Sequence, residues 1–259
     1  MSTYLLKMTT PPAGAAPIGQ AIAAQTRAEL TMTLRRGENV LVTLILPVLF
    51  LIFFAQFMRT PPAPYRQPID FLLPGILAVA IMSTSMVSLG IATAYERYYG
   101  VLKRLGSAPL PRWGLIAAKV LAVFALELVQ LMLLMALAAL LYGWRPSGTT
   151  WAALPIALLG TATFAGLGLL MAGVLRAEAT LAGANGLYVV FLAIGGIFVP
   201  VGSFPGLLGT LLGLLPPAAL SSALRGALTA QGIPGGSLLV LAAWAAIFIG
   251  VAARTFKWE

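Results

Sequence analysis

The chain has 259 residues, of which 60% are hydrophobic and 9% charged, with a net charge of +9 and a mean hydropathy of +0.96. Globular domains in water carry roughly a quarter charged residues, so this composition excludes a soluble globular protein and predicts an integral membrane protein. The absence of Cys and His excludes disulfides, His or Cys metal sites and Ser-His or Cys-His nucleophile pairs. We therefore predict no catalytic residue and no metal site.

The predicted elements are all helices. Residues 18–36 lack Pro and precede Gly37, so we expect one helix there, lying along the cytoplasmic membrane interface. A spanning helix needs about 20 apolar residues, and six stretches reach or approach that length. These predicted spans are residues 39–57, 71–94, 115–142, 151–175, 181–201 and 237–253.

The segment 204–229, between the last two predicted spans, is divided by prolines into two pieces of about half a span each. We interpret it as an external re-entrant helical segment that is covered by protein, because bare backbone cannot face lipid. A seventh span is the alternative. The whole chain, residues 1–259, is then a single all-α transmembrane domain.

The distribution of Lys and Arg predicts the orientation. If the N-terminus is cytoplasmic, twelve of the 16 basic residues fall on the cytoplasmic side and four outside. The four outside are Arg59, Arg66, Arg145 and Arg225. We therefore predict a multi-pass protein of the inner or plasma membrane with both termini cytoplasmic. Its positive charge is expected to face anionic lipid headgroups and not nucleic acid.

The loop at residues 95–113 is the longest predicted cytoplasmic connection between spans. Gly100 relaxes the backbone, residues 101–105 fit a short helix, and Pro109 and Pro111 end it. A short helix with apolar and basic side chains suits docking into a groove of a cytoplasmic partner, although an ordinary positive-inside loop would carry the same charge. Its residues are the apolar Val101, Leu102 and Leu105 and the basic Lys103 and Arg104.

Polar residues inside the predicted spans are candidates for a transport pathway. Glu127 lies about 18 Å along its helix, near mid-membrane, where a charge costs roughly 2.5–3.5 kcal/mol, and Gln130 shares its face. Glu127 is either part of the pathway or a structural carboxyl group bonded between helices. The second and fifth spans add a mixed polar, aromatic and thioether set, which serves either transport or packing. These residues are Met82, Ser85, Met86, Asn185, Tyr188, Phe191 and Phe198.

Three groups of residues resemble the ABC-2 type transporter permeases, the membrane subunits of ATP-driven exporters. In the cytoplasmic loop they are Glu96-Arg97, Gly100, Lys103-Arg104-Leu105, Pro109, Arg112 and Lys119. At the second span they are Phe71-Leu72-Leu73-Pro74-Gly75. At the fifth span and the re-entrant segment they are Gly196-Ile197-Phe198-Val199-Pro200, Phe204-Pro205, Leu215-Pro216 and Leu224-Arg225. Tyr98-Tyr99 departs from the acidic or polar residues that relatives carry there.

The resemblance implies a dimer of identical or homologous permease subunits, each docking a separate ATPase subunit. It also implies that the second and fifth spans line the central pathway. ATP and Mg²⁺ would belong to the ATPase, since this chain has no G-x-x-x-x-G-K-S/T motif, and the chain itself is expected to bind no cofactor. The implied coupling residues are Glu96, Arg97, Gly100, Val101, Leu102, Lys103, Arg104 and Leu105.

We therefore expect an exporter subunit that moves a hydrophobic or amphipathic compound, with a drug or antibiotic as the leading candidate, by alternating access. A lipid-linked glycan is an alternative cargo. From another class, an ion-coupled secondary transporter could use Glu127, but such proteins usually show repeated halves, which we do not find in this sequence.

Overall fold

The computed structural model describes residues 17–35, 37–58, 60–105 and 110–256. Within these ranges the chain is helical and has no strand, which confirms an all-α fold. Among the described residues, five helices are long and apolar enough to span a membrane, and six if a helix pair with an 81° bend counts as one span. Together with the hydropathy this shows a membrane protein. Arg36, the last residue of the predicted interfacial helix, and residues 106–109 of the predicted loop lie outside the described residues.

The helices follow one another in this order: α1 Ile18–Arg35, α2 Gly37–Phe57, α3 Pro68–Met82, a π-helical segment Ser83–Ser88, α4 Leu89–Tyr98, α5 Val101–Leu105, α6 Arg112–Tyr142, α7 Ala153–Val174, α8 Ala177–Ile194, α9 Gly206–Gly213, α10 Pro216–Leu228 and α11 Gly235–Thr255. Helix α3, the π-helical segment and α4 form one continuous helix, Pro68–Tyr98, which we call the central helix. Single 3₁₀ turns lie at Thr150–Ala152 and Val201–Ser203.

The central helix is the most enclosed of the five spanning helices that the structure describes. In its most apolar stretch 83% of the residues are buried, against 17–56% in the other four spanning helices. Its α3 part packs against α2, α6, α7 and α10. A helix that is apolar on every side is expected to be surrounded by protein, whereas the other helices leave one apolar side exposed, as lipid contact requires.

The close crossing between the central helix and α7 depends on two glycines. A Cβ at Gly168 would lie 2.6 Å from the carbonyl oxygen of Met86, and one at Gly90 would lie 3.0 Å from the carbonyl oxygen of Gly168. The two backbones therefore touch, an arrangement that small residues permit in membrane helices. Met86 lies in the π-helical segment, a type of irregularity that is often found at functional sites.

The predicted fifth span, 181–201, is wrong at its end, because α8 stops at Ile194. Gly196 takes the left-handed conformation, with a φ of +67°, which the preceding helix cannot continue. The chain then runs without helical structure to Pro200, so Phe198 lies beyond the helix in which it was predicted. The remaining predicted spans lie within observed helical segments that extend up to a few residues beyond them. The one exception is Leu175, which was predicted in the fourth span and directly follows α7.

The break after α8 is stabilised by Arg225, a buried residue of α10. Its guanidinium donates to the carbonyl oxygens of Gly196 at 2.6 Å, Ile197 at 3.0 Å and Phe71 at 3.1 Å, and its Cζ lies 4.0 Å from the ring centroid of Phe71. A Cβ at Gly75 would lie 2.9 Å from this guanidinium and 2.8 Å from the oxygen of Ile197. The arginine therefore joins the start of α3, the segment after α8 and α10.

We expect Arg225→Lys to destabilise the protein, because a single ammonium group cannot reach carbonyls that lie in several directions from the planar guanidinium. Each buried carbonyl left without a donor costs about 1–3 kcal/mol, so the melting temperature of the purified protein should fall clearly. Arg254→Lys, at an exposed residue in the last turn of α11, is the matched control. Equal melting temperatures for the two variants would contradict this role.

Candidate functional site

The predicted coupling helix is present as α5, and the turn before it depends on Gly100. This glycine has a φ of +70°, a conformation that other residues adopt only with strain. Val101 and Lys103 are exposed, whereas Leu102 is 1% exposed and packs inward. Leu102 is therefore corrected from a partner contact to a residue that holds α5 on the bundle. The side chains of Arg104 and Leu105 lie outside the described part of the chain.

Three charged side chains form a buried cluster beside this loop, which we call the Lys119 cluster. Its members are Glu29 of α1, Glu96 of α4 and Lys119 of α6. The ammonium nitrogen lies 2.9 Å from Glu29 Oε1 and 2.7 Å from Glu96 Oε2, and the Lys119 side chain is only 3% exposed. Gln25 also donates to Glu29, at 2.9 Å. The buried carboxylate of Glu29 and the half-buried one of Glu96 thus flank one ammonium group, and the three side chains connect α1, α4 and α6.

Sequence reasoning missed this cluster, because Glu29 and Lys119 are 90 residues apart. In the sequence, Glu29 falls on the same face of the first helix as Ile18 and Ile22. A lone carboxylate among apolar side chains at a membrane surface needs a buried cation, so that position was the signal that could have revealed the cluster.

Arg97, the neighbour of Glu96, binds the end of α7. It donates to the carbonyl oxygen of Gly173 at 2.5 Å and also to that of Leu175, which satisfies groups that a helix C-terminus leaves free. Glu96 and Arg97 therefore make contacts within the chain. Their part in coupling to an ATPase stays a prediction. Their observed contacts attach the end of α4, directly before the loop, to α7 and α6.

A cleft of about 600 Å³, which we call the α2–α8 cleft, lies between α2, the central helix and α8. Its wall mixes apolar side chains with hydroxyl, amide and phenol groups. At one end it includes residues of the loop region. The lining residues are Thr43, Leu46, Ser83, Val87, Ser88, Ile91, Ala92, Tyr95, Glu96, Tyr99, Val101, Leu181, Asn185 and Tyr188.

Two of the nine predicted pathway residues, Asn185 and Tyr188, line the α2–α8 cleft. Asn185 is exposed and donates to the carbonyl oxygen of Leu181 in its own helix, at 2.8 Å. The Tyr188 hydroxyl lies beside Ser83 without reaching good hydrogen-bond geometry. These groups add polar contacts to a cleft wall that is mainly apolar.

The other predicted pathway residues pack against side chains of the same chain. Met82, Ser85 and Met86 have no exposed surface. The ring of Phe191 contacts that of Phe164, and the ring of Phe198 stacks on Phe54 at a centroid distance of 3.9 Å. In this conformation the structure therefore does not bring the nine residues together on one surface.

Glu127 and Gln130 face neighbouring helices. Gln130 donates to the carbonyl oxygen of Thr43 at 3.0 Å and accepts from Thr84 at 2.9 Å. Glu127 is fully buried and accepts from Thr161 of α7. It does not line the α2–α8 cleft. This position favours the structural alternative for Glu127, and a role in transport stays untested. In the described ranges no three acidic side chains come together as metal ligands.

We expect Lys119→Met to lower the melting temperature strongly, because it leaves the buried carboxylate of Glu29 without its cation, at a cost of about 3–5 kcal/mol, and also removes the partner of the half-buried Glu96. Lys103→Met removes an exposed lysine and should have little effect. The triple variant Lys119→Met/Glu29→Gln/Glu96→Gln should recover part of the loss, since no buried charge remains. If Lys119→Met were as stable as Lys103→Met, the cluster would not contribute to the stability of the fold.

The family model for the ABC-2 type transporter matches residues 20–229. Over 202 residues the chain is 26% identical to "Putative transport permease YvfS" of Bacillus subtilis (strain 168), and the alignment covers 74% of this chain and 79% of that relative. The residues matched by the family model include the central helix, α5, the Lys119 cluster and Arg225. On this match, together with the all-helical membrane fold, the chain belongs to the ABC-2 type transporter family.

Proposed function

We propose that this chain is the membrane permease subunit of an ATP-driven exporter, and that the α2–α8 cleft admits a hydrophobic or amphipathic substrate. One observation carries the proposal: Tyr95, Glu96, Tyr99 and Val101 of the loop region line the same cleft as Asn185 and Tyr188. A force applied to α5 therefore acts directly on one wall of the cleft. Coupling of ATP hydrolysis to substrate movement needs a connection of this kind.

The loop is mounted in a way that supports force transmission. Leu102, Arg97 and the Lys119 cluster tie it to the bundle, to the end of α7 and to α1 and α6. Val101 and Lys103 remain exposed on α5 and supply an apolar and a basic contact for the ATPase subunit. The complex would contain two permease subunits, identical or homologous, and two ATPase domains that bind ATP and Mg²⁺.

The orientation follows from the proposed partner. The end of the bundle that carries α5, the Lys119 cluster and α1, which we call the coupling end, faces the cytoplasm. Both termini then lie in the cytoplasm of a bacterial cell, in agreement with the excess of Lys and Arg on that side. Substrate enters from the cytoplasm or the inner leaflet and leaves on the opposite side.

The lining of the cleft supports the substrate class. Leu46, Val87 and Ile91 provide apolar contact, and Asn185 and Tyr188 provide separate hydrogen-bonding groups, a combination that suits amphipathic molecules. A drug or antibiotic is the leading candidate, and a lipid-linked glycan is the alternative. Ion-coupled transport through Glu127 has less support, because its carboxyl group is enclosed between helices.

We expect Lys103→Glu to abolish co-purification with the ATP-binding-cassette ATPase subunit of the proposed complex, because the new charge opposes docking while the exposed position leaves the fold intact. The measurement is recovery of the ATPase with the tagged permease, with the melting temperature as a check on folding. Arg254→Glu, at the same end of the bundle, is the control. Full recovery of the ATPase with Lys103→Glu would contradict docking through α5 and would leave the loop's positive charge as a determinant of membrane topology only.

We expect Asn185→Trp to block transport, because an indole at this exposed position fills the α2–α8 cleft. ATP-driven movement of a lipophilic fluorescent dye into proteoliposomes should fall strongly, while ATPase binding persists. Met132→Trp, at an exposed residue of α6, should transport normally. Unchanged dye transport by Asn185→Trp would remove the cleft from the pathway. Transport that requires a proton gradient and no ATPase would instead establish a secondary transporter.

A further inference from the structure

A second cleft, of about 540 Å³, lies at the end of the bundle opposite the coupling end, and we call it the arginine cleft. It is formed where three connections meet: those between α2 and α3, between α6 and α7, and between α10 and α11. Most of its lining residues have polar side chains. The lining residues are Pro64, Tyr65, Arg66, Gln67, Asp70, Gly143, Arg145, Ser147, Thr229, Ala230 and Gln231.

The backbone that carries Arg145 is held on both sides. Trp144 is buried, and the Ser147 amide donates to the carbonyl oxygen of Leu228 at 3.1 Å. A Cβ at Gly148 would lie 2.3 Å from the carbonyl oxygen of Thr229, so this connection packs directly on the end of α10. The position of Arg145 at the cleft is therefore part of the tertiary structure.

The backbone that carries Arg66 is also ordered by local contacts. Gln67 and Asp70 form a reciprocal capping box at the start of α3. In this box the backbone N–H of Gln67 donates to Asp70 Oδ2 at 3.2 Å. Arg66 directly precedes this cap. Two arginines on separate connections are thus presented to one cleft by backbone that is already in place, which reduces the entropy cost of binding a ligand.

Within the described residues, the two arginines of the cleft outnumber its acidic side chains. Arg66 and Arg145 are exposed, and neither forms an ion pair with any side chain that the structure describes. Asp70 is the one acidic residue in the lining, and one of its oxygens already serves the cap of α3. Burial raises the pKa of the Tyr65 hydroxyl above its usual range, so this group stays a neutral hydrogen-bond donor at physiological pH.

We propose that the arginine cleft is a binding site for a phosphate group, held by Arg66 and Arg145, with Ser147 and Gln231 as neutral contacts. Planar guanidinium groups donate two parallel hydrogen bonds to phosphate oxygens, and two of them supply the charge that a phosphate needs. The group belongs either to the headgroup of a phospholipid in the adjoining leaflet or to a small phosphorylated solute. This site is separate from the α2–α8 cleft. Phosphate binding there does not depend on whether the chain exports a substrate.

The test uses the full-length protein in uncharged detergent and two phosphate-bearing probes. Glycerol 3-phosphate represents a solute, phosphatidylglycerol in mixed micelles represents a lipid, and phosphatidylcholine controls for acyl-chain effects. The melting temperature is followed during each titration. At least one anionic probe should raise it with a saturable dependence, more strongly than phosphatidylcholine does and less strongly at high salt. The probe that acts identifies the source of the phosphate.

The variant Arg66→Gln/Arg145→Gln should keep the unliganded melting temperature and bind the active probe at least about tenfold more weakly, because charge-assisted hydrogen bonds are lost. Arg27→Gln/Arg254→Gln removes the same charge from two exposed residues at the coupling end and should bind like the wild type. The proposal is overturned if neither anionic probe acts, if the first pair binds normally, or if both pairs lose affinity equally.

Discussion

The architecture depends on one requirement of the membrane, namely that each backbone carbonyl freed by a break in a helix must find a donor inside the protein. The chain leaves helical structure after Ile194, and Arg225 supplies the donors for Gly196 and Ile197. The same guanidinium binds the carbonyl oxygen of Phe71. A break that would be costly in lipid is thereby converted into a connection between α8, α10 and the central helix.

The Lys119 cluster has a comparable function at the coupling end. A buried ammonium group attracts carboxylates strongly because little water competes for them, and it is stable only if both carboxylates stay in place. Glu96 therefore fixes the end of α4 to α1 and α6, just before the turn at Gly100. The loop that is proposed to receive the ATPase is thus attached to three helices, and its residues also form one wall of the α2–α8 cleft.

The central helix connects these two buried cationic residues. It starts beside Arg225 at Phe71 and ends beside Lys119 at Glu96, and it is enclosed for most of its length. Its π-helical segment lies at the backbone contact with α7 and contributes Ser83, Val87 and Ser88 to the wall of the α2–α8 cleft. Movement at the coupling end would therefore reach the cleft through a helix that is held at both ends.

The sequence by itself determined the membrane class, the helical fold, the position of α5 and the family, because apolar run length, Gly100, the prolines and the local motifs act over short distances along the chain. It did not determine the partners of Glu29, Glu96, Arg97 and Arg225, nor the true end of α8. It also did not show that the predicted pathway residues Met82 and Met86 are enclosed while Asn185 faces a cleft. Only the tertiary structure decided these points, since hydropathy shows that a side chain avoids water and cannot distinguish lipid from a neighbouring helix.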